Sequence, residues 1–296
     1  MYLKKSYYRM LESLIKKIIK FKNNSNNNAF QKIIRSAIYY TTKKNRILFS
    51  DNKNIKFLMP SCDWISQCLF INESFDYRIL EKGIKLLKRK KVGGKNSKST
   101  LINIGAHIGS TCIPAIKKNK FKNLIAFEPT KRTFELLNAN IFLNGINDRS
   151  QVYNLAISDK KGSLHLNIKN VFDTGSNHIV KNKQKNTETV KSDILDNYTY
   201  NLNKNNSLIF MDAESHEYNI FLGAKKTIKK KIPFVFEFAP YLLNKDWLKK
   251  ISVLFKYYNF FYDIKTSKMK KFDATQMKKL YNHYLPENGF TNILIK

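Results

Sequence analysis

The sequence predicts an α/β fold in which a doubly wound, mostly parallel sheet of seven or so strands lies between layers of helices. From Thr100 onward, short apolar runs alternate with amphipathic segments of helical length, which is the pattern of β-α-β units. A glycine-containing turn follows the first of these strands, and acidic residues follow later ones. Right-handed crossovers would place the carboxyl ends of the parallel strands at one edge of the sheet, where such folds bind ligands.

Each predicted element in residues 99–296, which we expect to form one domain, comes from a local pattern. Apolar runs of four to six residues predict strands at residues 101–104, 123–127, 152–157, 163–168, 208–211, 234–238, 260–264 and 292–295. Helices are predicted between them at residues 110–118, 131–143, 218–228, 247–255 and 274–284. In the second of these helices Phe134, Leu137 and Ile141 recur at the spacing of one helix face.

Residues 1–98 are predicted to be a helical N-terminal extension that serves substrate recognition or docking. Residues 75–87 have helical spacing, and the basic stretch 88–99 separates them from the main domain. Residues 1–21 also have helical spacing, without the continuous apolar run of a signal peptide. They would pack on the body of the protein or make peripheral contact with an anionic membrane surface. The polar residues 23–28 are expected to form a linker.

The composition indicates a folded chain with a large positive charge. Apolar residues make up 43% of the 296 residues, and the formal net charge is +32 from 54 basic and 22 acidic residues. The lysines are spread along the chain with abundant Asn and Ile, so we attribute the charge mainly to composition. A nucleic-acid partner is the alternative, and the lack of aromatic residues interleaved with the basic ones argues against it.

The cysteines and the apolar runs bear on the compartment. Cys62, Cys68 and Cys112 form no Cys-x-x-Cys pair and no even framework of disulfides. No run reaches the roughly 18 apolar residues that span a bilayer. A reducing cytoplasm is the expected location, and no signal for an oligomeric state is present.

The first candidate site is the turn between residues 101 and 111, Leu-Ile-Asn-Ile-Gly-Ala-His-Ile-Gly-Ser-Thr. Gly105 and Gly109 would let the backbone turn sharply and a ligand approach it, and the following helix would direct free amides at that ligand. Neither the dinucleotide fingerprint nor a P-loop fits, because His107 and Ser110 stand where glycine is required and no Gly-Lys-Ser/Thr follows. A nucleoside ligand without phosphates is therefore favoured, with an ordinary tight turn as the alternative.

Acidic residues supply the other candidate positions. Glu128, followed by Pro129, ends the second strand, where a carboxylate can accept hydrogen bonds from both hydroxyls of a ribose. Asp212, Glu214, His216 and Glu217 follow a buried strand within six residues. They could orient a cationic group, accept a proton, bind a metal or simply cap the next helix. Glu237 lies in an apolar strand, so it is either an edge residue near the site or a buried partner of a lysine.

Together these residues resemble the FkbM-type methyltransferases. The resemblance rests on the segments 103–109, 127–129, 212–217, 222–224 and 236–237, in that order. It implies a class I methyltransferase fold, which is Rossmann-like, with S-adenosyl-L-methionine as the cofactor. It further implies O-methylation of a hydroxyl, on a small-molecule or glycan acceptor such as a sugar or surface glycan.

The resemblance also implies roles for individual residues. Asp212, Glu214 and His216 would be catalytic, with Asp212 near the sulfonium and Glu214 or His216 taking the proton of the acceptor hydroxyl. Glu217 and Glu237 would contact the acceptor, and no residue is assigned to a metal. The residues expected to bind the cofactor are Asn103, Gly105, Ala106, His107, Gly109, Glu128, Pro129, Ala156, Ser158, Asp159 and Asp212.

Two positions depart from the family pattern. Asn103 stands where the family usually has Asp, which removes a negative charge behind the cofactor turn. Ser215 stands where the family usually has Gly, and a serine would be strained if that position required a positive φ. A member that binds the cofactor without activity is therefore an alternative to an active enzyme.

Overall fold

The computed structural model describes residues 28–43, 46–61, 63–87, 99–168, 174–243 and 246–296. It comprises two compact units, residues 1–43 and residues 44–296. The described part of the first unit contains one helix, α1 (Asn28–Thr41). The helix predicted at residues 1–21 lies outside the described residues, as do most of the linker before Asn28, Cys62 and the basic stretch 88–98.

The second unit begins with a hairpin and two helices and continues as alternating strands and helices. Its helices are α2 (Trp64–Asn72), α3 (Tyr77–Leu86), α4 (Cys112–Lys117), α5 (Lys131–Leu143), α6 (Glu217–Leu222), α7 (Lys225–Lys229), α8 (Trp247–Ser252) and α9 (Ala274–Tyr284). Its strands are β1 (Ile47–Asn52), β2 (Ile55–Pro60), β3 (Thr100–Ile104), β4 (Asn123–Phe127), β5 (Ser150–Tyr153), β6 (Ala156–Ile157), β7 (Gly162–Asn167), β8 (His178–Val180), β9 (Thr187–Asp193), β10 (Ser207–Met211), β11 (Phe234–Phe238), β12 (Phe260–Asp263), β13 (Lys268–Lys271) and β14 (Thr291–Ile295).

The main sheet confirms the predicted α/β architecture with a mostly parallel sheet. Its strand order is β13-β12-β14-β11-β10-β3-β4-β5. Strands β5, β4, β3, β10 and β11 are parallel, while β14, β12 and β13 each pair antiparallel with their neighbours. The order reverses between β3 and β10, so the carboxyl ends of these two strands flank the crevice where doubly wound sheets bind ligands.

The strand count and two assignments differ from the prediction. The sheet has eight strands because residues 268–271 return as a hairpin on β12; their sequence Lys-Met-Lys-Lys has no apolar run, as suits an exposed edge strand. The predicted strand 152–157 is divided between β5 and β6. Together with β7, β8 and β9, β6 forms a separate four-stranded sheet of order β6-β9-β7-β8.

The central strands are buried because they carry continuous apolar runs. Every residue of β3 and β10 is buried, which is typical of parallel strands covered by helices on both faces. Ile102, Ile209 and Phe234 lie in the largest core cluster described, with the apolar residues of α6, α7 and α9. No helix in the described part of the chain is both long and apolar enough to cross a membrane.

The region before β3 is not purely helical, contrary to the prediction. Strands β1 and β2 form an antiparallel hairpin, and its backbone is bound by Asn140 of α5 and by Asn144, the residue that caps the end of α5. The amide of Asn140 both donates to and accepts from Leu58, and that of Asn144 does the same with Lys56. These contacts are non-local in the sequence, so local periodicity gave no sign of them. A docking or recognition role for residues 1–98 stays a prediction.

Candidate functional site

The turn after β3 is held against the end of β10. Gly105 has φ +74°, and a Cβ at this position would lie 1.9 Å from the carbonyl oxygen of Asp212. Glycine is therefore required here by the neighbouring backbone, in addition to any ligand that approaches the turn. His107 and Gly109 also have positive φ, at +50° and +92°. Such a concentration of left-handed residues is common at binding sites, where the surrounding structure holds them in place.

Glu128 is directed into the turn and stabilises it. Its Oε2 accepts from the amide of His107 at 2.8 Å, and its Oε1 accepts from the amide of Thr130 at 3.0 Å and the hydroxyl of Thr133 at 2.7 Å. A carboxylate has about four acceptor positions, so three are occupied and one on Oε2 remains. The sequence predicted that Glu128 would accept hydrogen bonds from both hydroxyls of a ribose. In the structure its carboxylate can accept a hydrogen bond from only one more donor.

A hydrogen-bonded chain fixes the ring of His107. The hydroxyl of Thr174 donates to Oδ1 of Asp63 at 2.6 Å, and Oγ1 of Thr174 lies 2.7 Å from Nε2 of His107. Because the hydroxyl hydrogen is used on the carboxylate, Thr174 must accept from Nε2–H. The other ring nitrogen, Nδ1, is buried without a hydrogen-bond partner. In the neutral ring it is an acceptor left for a ligand.

The segment after β10 makes a second tight turn. Glu214 and Ser215 both have positive φ, at +48° and +74°. Ser215 therefore occupies the left-handed conformation that glycine would adopt without strain, as the departure from the family pattern implied. Glu217 begins α6, and its Oε1 accepts from the amide of Ala213 at 3.1 Å. This bond closes the turn and keeps Glu217 at the edge of the sheet.

A first cavity opens between the two turns and the four-stranded sheet. It is bordered by the ends of β3, β4 and β10 and by β6. Eight of the residues expected to form the site line it: Gly105, His107, Glu128, Pro129, Ala156, Asp212, Glu214 and His216. Leu155, Ile157, Leu166, Ile179 and Ile220 supply apolar surface. The cavity thus has one apolar side and one side rich in carboxylates.

Other expected site residues lie elsewhere. Asn103, Ala106, Gly109, Ser158 and Asp159 are not among the residues that line the first cavity. Asn103 is 1% exposed on β3, and both polar atoms of its amide are buried without a partner. Ala106 and Ser158 each adjoin a lining residue in the chain, and Asp159 accepts a hydrogen bond from Ser158.

The imidazole ring of His216 is hydrogen-bonded to another side chain of the protein. Its Nε2 lies 2.9 Å from the hydroxyl of Ser158, which donates to Asp159 at 2.9 Å. Burial lowers the pKa of the His216 imidazole to about 4, although the charge of Asp159 acts in the opposite direction. The ring is therefore neutral near pH 7, and its conjugate acid is too strong for efficient proton abstraction there.

Glu217 and Glu237 line a second cavity. Aromatic side chains dominate its wall: Tyr218, Phe221, Phe236, Phe238 and Trp247. Ser215, Leu242, Leu243, Lys250 and Ile251 complete the lining. Glu214 and His216 face the first cavity while Ser215 and Glu217 face the second. The turn of residues 213–217 therefore separates the two cavities.

The carboxylates at this edge raise one another's pKa. Burial, followed by the charges of Asp212 and Glu214, raises the pKa of Glu237 to about 8. Burial raises the pKa of Glu217 to about 7, and the charge of Asp212 contributes to this rise. Burial also raises the pKa of Asp212 to about 6, against the effect of His107. Carboxyls poised near neutral pH are suited to proton transfer.

Asp76 is a member of this acidic group that the sequence did not reveal. It precedes α3 with φ +50°, and burial together with the charge of Asp212 raises its pKa to about 7. Asp63, Thr174 and Trp247 were missed for the same reason. Each reaches the site from a distant part of the chain, and only tertiary structure shows it. In the described residues no group of three or more His, Cys, Asp or Glu side chains is arranged to hold a metal ion.

Comparison with known proteins identifies the class and then the family. A family model described as the methyltransferase FkbM domain matches residues 103–275, which include both turns and most of the main sheet. The protein is therefore a methyltransferase. The chain belongs to the FkbM methyltransferase family, as the sequence resemblance predicted.

Solved structures with a similar arrangement are distant in sequence. The crystal structure of P. horikoshii TYW2 in complex with MeSAdo is 14% identical, with a TM-score of 0.38, and the match covers 86% of this chain and 71% of that chain. M. jannaschii TYW2 in complex with AdoMet is 13% identical, with a TM-score of 0.40, and the match covers 86% of this chain and 85% of that chain. Precorrin-6y C5,15-methyltransferase from Geobacter metallireducens GS-15 is 10% identical, with a TM-score of 0.36, and the match covers 73% of this chain and 86% of that chain. Among curated proteins, no sequence matches the chain.

Proposed function

We propose that the protein is an S-adenosyl-L-methionine-dependent O-methyltransferase that methylates a hydroxyl of a sugar or surface glycan. The observation that carries the proposal is the first cavity, which is lined by the bare backbone of Gly105 together with Glu128 and Asp212. Family membership supports methyl transfer. A carboxyl in this cavity, that of Glu214, supports a hydroxyl as the acceptor, because a hydroxyl must lose a proton when it is methylated.

The residues of the first cavity fit this cofactor. The buried, unpartnered Nδ1 of His107 is an acceptor for an ammonium group, which the methionine portion carries. The remaining acceptor position of Glu128 suits one ribose hydroxyl. Ala156 and Ile157 supply apolar surface for a flat base, with Ser158 and Asp159 behind them. When bound, the cofactor supplies an electrophilic methyl group on a sulfonium.

The protein's own contribution is positioning and removal of a proton. Asp212 lies at the end of β10 beside the turn of Gly105, where its negative charge favours a nearby cation. Holding the acceptor oxygen in line with the methyl group lowers the barrier by fixing the near-attack geometry. We assign the proton to Glu214, because it lines the cavity and because burial lowers the pKa of His216 to about 4, which makes the imidazole a weak base. Glu217 and Glu237 would then bind the acceptor.

Calorimetry with S-adenosyl-L-methionine and S-adenosylhomocysteine tests the cofactor without knowledge of the acceptor. We expect both to bind with micromolar affinity and unit stoichiometry. Absence of binding at millimolar concentrations would overturn the proposal. Once an acceptor is found, Glu214→Gln should lower kcat at least a hundredfold, as loss of a general base does. Full turnover in Glu214→Gln, with unchanged cofactor affinity, would remove Glu214 from this role.

A further inference from the structure

The second cavity has a flat aromatic wall that is fixed in place. Trp247 stacks on Tyr281 with ring centroids 4.9 Å apart and an interplanar angle of 7°, and its ring meets that of Phe238 edge-on at 5.5 Å. Tyr281 thus covers one face of the indole and Phe238 restrains it, while Trp247 still lines the cavity. A rigid aromatic surface of this kind binds the apolar face of a ring at little cost in side-chain entropy.

The opposite side of the cavity is polar and mainly acidic. Glu217 is held by its bond from the amide of Ala213, and Glu237 projects from β11 beside it. Lys250 is the cation that lines the cavity, and its Nζ lies 4.9 Å from the ring centroid of Tyr218. A ligand in the cavity would meet a surface that favours hydroxyl and amino groups, and above about pH 8, where Glu217 and Glu237 are both ionised, that surface repels carboxylates.

The ionisable residues just outside the second cavity are also acidic, like Glu217 and Glu237 within it. Burial, and after it the charges of Asp212, Glu214, Glu217 and Asp76, disfavour the ionisation of Glu237. In a chain of net charge +32 this is a locally acidic region. At a separation of about 7 Å and an effective dielectric constant of about 20, one added negative charge disfavours binding by at least tenfold.

We propose that this second cavity is the acceptor site, and that it selects hydroxylated rings that carry no anionic group. The ring would lie against Trp247, with its hydroxyls directed at Glu217 and Glu237. The inference rests on the proposed function in one respect, since it takes the first cavity to hold the methyl donor. Asp212 and Glu214 line the first cavity and act on the charge of Glu237 in the second, so an acceptor bound at Glu237 would lie close to the donor.

The test uses the fluorescence of Trp247 in the full-length chain. The protein has two tryptophans, and Trp64 is 58% exposed on α2, so Trp64→Phe leaves Trp247 as the sole emitter. Methyl glycosides of glucose, galactose and mannose are titrated in three forms: neutral, 2-amino-2-deoxy, and uronic acid. We expect a saturable change in emission with neutral or amino forms of at least one sugar, and at least tenfold weaker binding of its uronate.

Matched variants test the origin of the discrimination. At pH 9, above the pKa of about 8 to which burial raises Glu237, Glu237→Gln should narrow the ratio of the affinities for neutral and uronate forms at least threefold, whereas Glu135→Gln on the exposed face of α5 should leave that ratio unchanged. Equal or tighter binding of the uronates, or no saturable change with any glycoside, would overturn the proposal. Calorimetry with S-adenosyl-L-methionine on the same sample distinguishes a failure of the proposed function from a failure of the proposed acceptor site. Loss of donor binding alone counts against the proposed function, and loss of the glycoside response alone counts against this site.

Discussion

His107 and Thr174 share a hydrogen bond of 2.7 Å that assigns the proton on the imidazole ring. The hydroxyl of Thr174 is donated to Asp63, which also accepts from the amide and hydroxyl of Ser66 at the start of α2. Asp63, which precedes the main sheet, and Thr174, beside the smaller sheet, therefore orient the ring of His107 in the turn after β3. Both are far from that turn in the sequence, so no sequence motif indicated their role.

Thr174→Val should weaken donor binding about tenfold, because it leaves Nε2–H of His107 buried without an acceptor, at about 1–2 kcal/mol. Calorimetry with S-adenosylhomocysteine measures the change. The matched control is Thr189→Val, since Thr189 also meets a histidine, His165, at 3.4 Å but on an exposed strand. An unchanged affinity in Thr174→Val would show that the orientation of His107 does not matter to the donor.

Glu128→Gln should lower both stability and donor affinity. The amide offers one acceptor oxygen in place of two, so one of the donors His107, Thr130 or Thr133 loses its partner, at about 1–3 kcal/mol. We expect a lower free energy of unfolding in urea and at least tenfold weaker donor binding. Glu135→Gln is the control. Wild-type behaviour of Glu128→Gln in both assays would contradict the structural role of this carboxylate.

Glu237→Gln should stabilise the protein at pH 8 more than at pH 5. The folded pKa of Glu237 is about 8, above the value of about 4.3 in an unfolded chain, so the folded state binds the proton more tightly. The free energy of unfolding therefore falls as the pH rises from about 4.3 to about 8, because Glu237 must ionise in the folded state. The fall is on the order of 2 kcal/mol, and the glutamine variant does not undergo it. Urea unfolding at both pH values measures it, with exposed Glu287→Gln as control. A pH-independent difference would contradict the raised pKa.

Gly105→Ala should prevent stable folding or cost several kcal/mol, because the new Cβ would overlap the carbonyl oxygen of Asp212. Gly145→Ala provides the comparison. Gly145 also has positive φ, at +62°, but nothing lies within 4 Å of its Cβ position, so we expect a cost of only about 1 kcal/mol. Equal unfolding free energies in urea for the two variants would show that the close contact at Gly105 is relieved without cost.

Asn103→Val should raise the free energy of unfolding by about 1 kcal/mol, because it removes two buried polar atoms that lack partners. Donor affinity should stay within twofold, since Asn103 does not line the first cavity. Calorimetry and urea unfolding provide the two measurements. A large fall in donor affinity would instead support the contact with the cofactor that the sequence predicted.

The sequence predicted the parts of the fold that depend on local periodicity. The strand at Asn123–Phe127 and the helix at Lys131–Leu143 were predicted with the bounds that the structure has. The single helix expected over residues 218–228 is instead two helices, α6 and α7, separated at Gly223. The strand predicted at residues 163–168 is β7 of the smaller sheet, but β8 and β9 were not predicted, because they are largely half exposed and carry no apolar run.

For the candidate site, the sequence predicted the segments but not how their side chains are used. Residues that follow parallel strands must meet at one edge, so Gly105, Glu128 and Asp212 could be grouped from their positions alone. The partners of Glu128 and His216 could not be found in this way. They depend on φ angles, on burial and on contacts such as that between Ser158 and His216, 58 residues apart.

The attachment of the β1–β2 hairpin to α5 has a consequence for the diversity of this family. The hydrogen bonds of Asn140 and Asn144 to the hairpin go to its peptide groups, and Asn140 also donates to the carbonyl of Ile108 in the turn after β3. Bonds to peptide groups place no demand on side-chain identity, whereas the buried side chains of Phe57 and Met59 must fit the core. The exposed side chains of Ile47 and Phe49 are therefore the ones free to change during evolution while the segment keeps its distance from the donor site.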